Sequence, residues 1–532
     1  MVEKKCVEID QQQAATTNKL TNEQWQALIA LHRTLLHEHH DFFLASQHPS
    51  SSPGLKRLAT KYAMPARMWR HGIHSFLELL RHRLPDSLEH MLSFVYLAYS
   101  TMTLLVESVP SFQETWIECL GDLARYRMAI EEADLRDREV WAGVARVWYE
   151  MAADKSPNVG RIQHHLAVLA RPNIVQQLFY YSKALVSVTP FPNARESVML
   201  LFNPFLTNGE LASQRYPLLE SSFVKAAALH FTRGSVVVYN HLVEQFISVL
   251  SSHIGRVTTK FRVQGPEIAS TLCASLFDYG NLDSFLWKAF LANDRQMQEA
   301  LEDHKTATGQ TTASAEEETN WNETQRSVLV KKTDHLRYLN DHTRCPNVAH
   351  STRDSTTKDA TFSGAQDAVA HAAQLFYSAN EIIFQRIGDR NILPFAHVVL
   401  AFLNSLAYVP EAMLFVEGQV PWESIAVFLN TLMGRFGAVE SRFEGNAFPQ
   451  PLSGTGRQLP EDFAIRGSIW AKHYFPRGFF EGQVVDADER TLELPSHLAP
   501  RAERCLWLGI QLASVRSICY RCNEFTNSDK LI

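Results

Sequence analysis

Residues 119–202 constrain the fold more than any other part of this 532-residue chain. They run LGDLARYR, then WAGVARVWYEMAADKSPN, then HHLAVLARPNIVQQLFYYSKALVSVTPFPNARE, with Tyr149 and Tyr181 32 residues apart and Pro157 and Pro190 33 apart. A period of about 34, with small residues where helices would cross and Pro after the second helix, is the spacing at which helix-turn-helix pairs stack into an array. The chain therefore reads as a helical scaffold for binding partners.

With 45% hydrophobic and 20% charged residues, the chain can bury a large core over two or three domains. A formal charge of -6 gives no global basic footprint, so any nucleic-acid reading has to rest on local residues. Seven cysteines are scattered along the chain, with one close pair at Cys519 and Cys522; this suits a reduced protein of the nucleus or cytoplasm better than a disulfide framework. The opening MVEKKCVEIDQQQ lacks the apolar core of a signal peptide, and the other apolar runs are short or interrupted, so no membrane insertion is expected.

Apolar residues at helical spacing predict a first long helix over residues 21–46, opened by Thr21 with Glu23 nearby. A second helix is expected from about 65 to 84, stopped by Pro85, and a third from about 86; the last runs from about 499 to 519. Residues 304–364 turn to Thr, Ser, Ala and charge and read as a mostly disordered insertion, with one piece at 327–339 apolar enough for a local helix. LPEDFAIRGSIW places Pro460 at a first helical position with two acids in the first turn. Nothing alternates as strands do, so the fold class is all-α, built of successive antiparallel helix pairs.

On a wheel of about 100° per residue, Trp69, Ile73, Phe76, Leu77, Leu80 and Leu84 fall on the core face of the second helix. Arg67, Arg70, His74 and Arg81 gather beside that face. On the LGDLARYR helix, Asp122 and Arg125 lie off the core face, one turn apart, and Arg125 joins the stripe if the two helices pack together. Several guanidinium groups with a tyrosine hydroxyl suit a phosphate, because Arg offers planar paired donors and keeps its charge; the alternative is a solvated basic surface.

In the HEHHD cluster, His37 and Asp41 can share a helix face while His39 and His40 point elsewhere, and Cys519 with Cys522 makes half a zinc site without a second pair; no metal is expected. No Walker loop, nucleophile elbow or dinucleotide fingerprint is present, so neither an enzyme nor a cofactor is expected.

LGDLARYR, followed by LAVLA, LFYYSKAL and PFPNARE, resembles the ever-shorter-telomeres and Smg family of telomerase-associated and nonsense-mediated-decay adaptors, and LPED with Arg466 and Gly467 supports the likeness downstream. The resemblance implies a 14-3-3-like domain containing tetratricopeptide-like helices, then a domain of stacked helical hairpins. It implies the divisions 1–18 (flexible tail), 19–205 (14-3-3-like), 206–303 (first hairpin part), 304–364 (insertion), 365–520 (second hairpin part) and 521–532 (tail). It further implies binding of a phosphorylated Ser/Thr segment, such as that of a decay helicase, and pairing with a related adaptor.

The family holds phosphate with the first Arg of an ARYR-type motif, here Arg125 with Tyr126 beside it, and with a basic residue on an earlier helix. By register of MWRHGIHS that earlier position is His74, where the family pattern has Lys; histidine is largely neutral near pH 7, and Arg70, one turn before, is placed to substitute. Some relatives end in a PIN nuclease domain, which is not expected in this sequence. The alternative implied by the family is a telomerase accessory that binds telomerase RNA or single-stranded telomeric DNA. Its candidate residues are Lys260 and Arg262 in TKFRVQ, and Lys472 and Arg477 in WAKHYFPRGFF, where dense aromatics also read as helix packing.

Overall fold

The computed structural model describes residues 2–15, 19–131, 134–308, 361–436, 448–449, 458–476, 478–481, 490, 492–514, 518–521 and 524–527. By its internal packing the chain divides into two compact units, Met1–Pro157 and Asn158–Ile532. The resemblance implies a first long boundary at 205, beyond both near-repeats, whereas the packing divides the chain between them.

The first unit contains α1 (Val2–Ala15), α2 (Asn22–Gln47), α3 (Pro53–Lys61), α4 (Met64–Arg67), α5 (Ser75–His82), α6 (Leu88–Ser108), α7 (Gln113–Ile130) and α8 (Leu135–Lys155). α2 begins at the expected place. Thr21 Oγ1 accepts from Gln24 N at 3.3 Å and Gln24 Oε1 accepts from Thr21 N at 2.9 Å, a reciprocal cap that satisfies two otherwise orphaned donors. From α2, Trp25, Leu28, Leu36 and Phe43 point into the core, where Phe43 meets Trp116 of α7 edge-on at 5.1 Å.

Between α4 and α5 the chain winds as a π-helix, Met68–His74, with Ser75 N bonded to Arg70 O. The wider turn shifts the helical phase. Met68, Gly72 and Ile73 are buried, Trp69 is half-buried, and Leu84, beyond the helix end, is 37% exposed. The regular wheel, which put Leu84 on the core face, is corrected there, while Trp69 packs against the core as expected. His32 braces this turn from α2: its Nδ1 lies 2.9 Å from Gly72 O and its Nε2 3.2 Å from Asp10 Oδ1, while Asp10 Oδ2 accepts from Ser75 Oγ at 2.7 Å.

These bonds also correct the expectation of a flexible tail over residues 1–18. α1 is a helix with Cys6 and Asp10 buried, and its Glu3 pairs with Arg67 at 2.8 Å. Its anchors are single polar contacts reaching 22, 64 and 65 positions along the chain, which no local periodicity displays.

The second unit continues with α9 (Gly160–Leu169), α10 (Ile174–Val186), α11 (Ala194–Thr207), α12 (Gly209–Ser213), α13 (Leu218–Thr232), α14 (Val236–Val257), α15 (Phe261–Leu276) and α16 (Phe285–Thr308). Beyond the insertion come α17 (Ala365–Gln385), α18 (Leu393–Ala407), α19 (Pro410–Val416), α20 (Trp422–Phe436), α21 (Pro460–Ile465) and α22 (Leu498–Ser514). α9 pairs with α10 and α13 with α14; α15 packs on α10, α17 and α18, and α22 packs on α18. The fold is all-α in its packed layers. After α22, where helix was expected as far as 519, β1 (Ile518–Arg521) and β2 (Glu524–Asn527) pair antiparallel with Cys519 opposite Thr526. Most of the expected insertion, including the local helix at 327–339, lies outside the described residues.

By length and composition alone, α6 and the segment Arg390–Ala407 are apolar enough to cross a bilayer. In the fold every residue of α18 is buried within the second unit, and α6 turns Met91, Phe94, Val95, Ala98, Met102 and Leu105 into the first unit's core. The apolar character of α18 is that of a core helix, whereas α6 buries one face and leaves Tyr96 and Leu104 exposed.

Glycine sets how closely α10 is approached. A Cβ on Gly160 would come 2.3 Å from Ala184 O, and one on Gly280, at φ +71°, would come 2.3 Å from Leu185 O. Both termini of other elements therefore press on the last turn of this helix. Tyr181 of the near-repeat is buried there, as Tyr149 is in the first unit, where its ring packs on Gly121.

The LPED acids are buried and clamped to α22. Arg501 forms two parallel bonds to Glu461 (2.6 and 2.9 Å) and two more to Glu493 (2.7 and 2.9 Å), while Arg504 reaches Asp462 at 2.7 Å. His397 of α18 joins them, with Nδ1 2.9 Å from Glu461 Oε1 and Nε2 2.8 Å from the hydroxyl of Tyr474. Burial alone would push the Glu461 carboxyl up; the charge of Arg501 and the bond to His397 outweigh it and hold it far below the usual carboxylate range.

Arg501→Met strands two carboxylates, one of them fully buried, and is expected to lower stability by about 3–5 kcal/mol, read as a fall in the denaturant midpoint. Gly160→Ala is expected to cost roughly 1–3 kcal/mol by overpacking α10, read as a lowered Tm, whereas Gly143→Ala inside α8, where an added Cβ meets nothing within 4 Å, is expected to hold Tm or raise it by a few degrees, since Ala favours the helix by about 0.5–1 kcal/mol.

Candidate phosphate-binding face and nucleic-acid-binding segment

The first unit brings Arg125 and Tyr126 of α7 beside the π-turn and α5. Packing of α7 against α8 fixes Arg125. Its Nε donates to the Tyr149 hydroxyl at 3.3 Å, its Nη2 to Asp122 Oδ1 at 3.0 Å, and the Tyr149 hydroxyl donates to the same Asp122 oxygen at 2.6 Å. Burial works against the guanidinium charge, but Tyr149 and Asp122 outweigh it and keep the proton above its ordinary affinity. About a third of the Arg125 side chain stays exposed.

Tyr126 turns toward α5. Its hydroxyl donates to Glu78 Oε1 at 2.6 Å, and Arg81 Nη2 donates to Glu78 Oε2 at 2.7 Å. The imidazole of His74 stands edge-on to the Tyr126 ring, centroids 6.3 Å apart. Burial raises the Glu78 carboxyl, yet the bond from Tyr126 and the charges of Arg81 and His74 bring it below its ordinary value. Burial and the same bond raise the Tyr126 phenol.

Arg70 is exposed, one turn before His74, and makes no ion pair among the described residues. Arg67, in the same stripe, is instead taken up by Glu3. Tyr126 thus meets Glu78 and His74, with Arg125 next to it in α7, Arg81 on Glu78, and Arg70 one turn before His74.

Three guanidinium groups and an imidazole face two carboxylates here. Glu78 was not singled out from the sequence, and Tyr149 comes from a separate helix; Asp122 was legible as the residue one turn before Arg125. Arg is suited to such a face because its fork matches a tetrahedral oxyanion with paired bonds.

The other candidates fall in the second unit. Lys260 is exposed in the 3-10 turn Thr258–Lys260. Arg262 begins α15 and is half-buried, its Nε donating to Asn391 Oδ1 at 2.9 Å and its Nη1 3.8 Å from Glu493. Phe261 between them is core.

Lys472 is paired with Asp294 at 2.6 Å; the hydrogen bond from His473 together with the Lys472 ammonium holds that carboxyl down at about 2. Tyr474 is buried against His397, so the aromatics of WAKHYFPRGFF that the structure describes there pack rather than line a groove. Arg477 lies outside the described residues, as does Cys522.

In the HEHHD cluster His37 and Asp41 are exposed, His39 is buried against Leu35 O, and His40 lies 3.9 Å from Asp41. Among the described residues no three His, Cys, Asp or Glu side chains converge as metal ligands.

A sequence model of the Est1 DNA/RNA binding domain matches residues 145–274, from the second half of α8 to near the end of α15. That segment carries twelve lysines and arginines against seven carboxylates, a net +5 in a chain of -6. This local excess was readable in the sequence, though the whole-chain charge conceals it.

The chain is 23% identical over 214 residues to EST/SMG-like protein 2 of Saccharomyces cerevisiae, covering 37% of this chain and 17% of that protein. It is 38% identical over 87 residues to the telomerase-binding protein EST1A of Danio rerio, covering 16% of this chain and 5% of that protein. The matched stretches thus span well under two thirds of either relative. A crystal structure of Est1 and Cdc13 contains a chain with the same fold, at a TM-score of 0.55 and 8% identity over 99% of both chains. Domain match, relatives and fold thus point the same way: over these stretches the chain is similar to proteins of the Est1/Smg type, and it shares the fold of the chain in the Est1 and Cdc13 structure.

Proposed function

We propose that this protein is a non-enzymatic adaptor in telomere maintenance or nonsense-mediated mRNA decay, which captures phosphorylated Ser/Thr segments of partner proteins on the Arg125–Tyr126–His74–Arg70 face. The contact of Tyr126, next to Arg125 in α7, with His74 and Glu78 of an earlier helical segment is the observation that carries the reading. Arg70 supplies the unpaired charge that His74 lacks when neutral. The adaptor works by binding and localisation in the nucleus or cytoplasm, and the helical hairpins present further surface to other proteins, including a related adaptor. A phosphate entering this face competes with Glu78 for Tyr126 and Arg81, and with Asp122 for Arg125.

A second reading is a telomerase accessory that binds telomerase RNA or single-stranded telomeric DNA. It is supported by the match of residues 145–274 to a DNA/RNA-binding domain and by the +5 charge of that segment. The two readings concern largely different parts of the chain and can hold together.

Titration of a degenerate phosphoserine and phosphothreonine peptide pool, with its unphosphorylated twin, onto the full chain tests the first reading. Binding is expected only for the phosphorylated pool, and Arg125→Glu is expected to weaken it on the order of tenfold or more, the scale of a lost charge-assisted bond. Glu78→Gln, which removes the competing charge while retaining an acceptor for Tyr126, is expected to tighten it severalfold. Equal binding of the two pools would refute the phosphopeptide reading.

A further inference from the structure

Polar bonds between helix ends show that several turns of the second unit lie at one edge. Gln264 in the first turn of α15 donates to Glu220 in the first turn of α13 at 3.2 Å and contacts His253 in the last turns of α14 at 2.8 Å. Gln176 in the first turn of α10 donates to Glu267 of α15 at 2.9 Å. Arg262 at the start of α15 donates to Asn391, just before α18, and Arg386, just after α17, donates to Ser251 O of α14 at 2.9 Å. The opposite ends of these helices meet elsewhere, where Arg195, Arg233 and Asp278 come together and Gly280 touches α10.

This edge carries the exposed, carboxylate-free cations of the region. Arg215 sits in the turn before α13, Arg256 ends α14 and touches only the neutral-capable ring of His253 at 3.2 Å, Lys260 lies in the next turn, and Arg390 opens the 3-10 turn Arg390–Ile392. None of the four makes an ion pair among the described residues.

Of the carboxylates at this edge, Glu220 is engaged with Gln264, Asp389 with Arg386 at 2.8 Å, Glu267 inside the fold with Gln176, and Glu493, 3.8 Å from Arg262, with Arg501. Burial, reinforced by Glu220, pushes Glu267 up to about 7, so beneath the edge it is only partly ionised near neutral pH. Leu218, Val263 and Ile387 are exposed among the cations. Tyr216, beside Arg215, is half-buried and packs on Phe205 at 6.1 Å, leaving the cations as the main points of contact.

We propose that this edge, formed by Arg215, Arg256, Lys260 and Arg390, is a track for the phosphodiester backbone of a single-stranded nucleic acid, with Leu218, Val263 and Ile387 meeting its unpaired bases. The inference rests on the nucleic-acid reading and extends it to Arg390, which lies outside the matched domain and 130 residues from Lys260. Dispersed cations without an ordered stacking ring imply sequence-tolerant binding with strong salt dependence.

The test is fluorescence anisotropy of the full chain with labelled, mixed-sequence 20-nucleotide single-stranded DNA and RNA, with a duplex of the same sequence as competitor, across a salt series. The triple variant R256Q/K260Q/R390Q is expected to bind at least tenfold more weakly at moderate salt, and its log–log salt slope to fall by about 2, near 0.7 per lost phosphate contact. A control carrying R57Q/R136Q/R138Q, equal in charge but confined to exposed positions of the first unit, should retain the wild-type slope. Unchanged melting of both variants keeps the comparison one of binding.

Wild-type binding that the edge variant preserves, or that the control weakens equally, would overturn the track while leaving the nucleic-acid reading intact. Preferential displacement by duplex would overturn the assignment to single strands. Failure of the wild-type chain to bind either single strand would remove the reading and the track together.

Discussion

The buried clamp between the LPED acids and α22 is the interaction on which the second unit depends. Arg501 uses four donors on two carboxylates while itself only 1% exposed, and Arg504 holds the neighbouring acid. Taking such charges out of water is costly unless every one is matched, so the clamp fixes position more than it adds net stability. α21, α18 and α22 can meet in one arrangement only, because any slip would leave a buried charge alone. The loop after α21 then reaches back to α10: Gly467, at φ +83°, offers its carbonyl to Val188 N at 3.0 Å, and Lys183 donates to Phe463 O at 3.0 Å. Helices distant in sequence are thereby fixed around α10 and α15, which fall within the segment that matches the DNA/RNA-binding domain.

The first unit uses the same device on a smaller scale. His32, Asp10 and Ser75 hold a π-turn that would otherwise leave backbone groups poorly satisfied, and the turn sets where Arg70 and His74 emerge. An uninterrupted α-helix would carry those side chains at a different angle to Arg125 and Tyr126. The geometry of the proposed phosphate face therefore depends on α1, which supplies Asp10 from the extreme N-terminal part of the described chain.

Charge is divided unevenly along the chain. The overall balance is acidic, while residues 145–274 carry a net +5, and the fold pairs some of those cations internally and leaves others at one edge. In the first unit each of Arg67, Arg81 and Arg125 has a carboxylate partner, so a ligand there has to compete with resident acids. Local phosphate capture with competition and diffuse backbone contact without it are different modes of anion binding, and the two proposed sites divide them between the units.

The sequence by itself determined the helical class and much of the helix placement, because apolar period, capping residues and Pro stops are local signals: Thr21 caps α2 and Pro460 opens α21 as expected. The ARYR segment, through its likeness to a family, marked Arg125 and Tyr126. Tertiary structure alone decided what those residues touch. Glu78 and Tyr149 reach the face from positions 48 and 24 residues away from their partners, the π-turn changes which residues of 65–84 are buried, and Asp10 turns an apparent tail into a packed helix. It also separated Lys260, left exposed, from Lys472, neutralised by an acid 178 positions earlier. Periodicity reports which side of a helix is apolar; which charged groups meet is fixed by contacts between distant segments, and a single polar pair leaves no period to read.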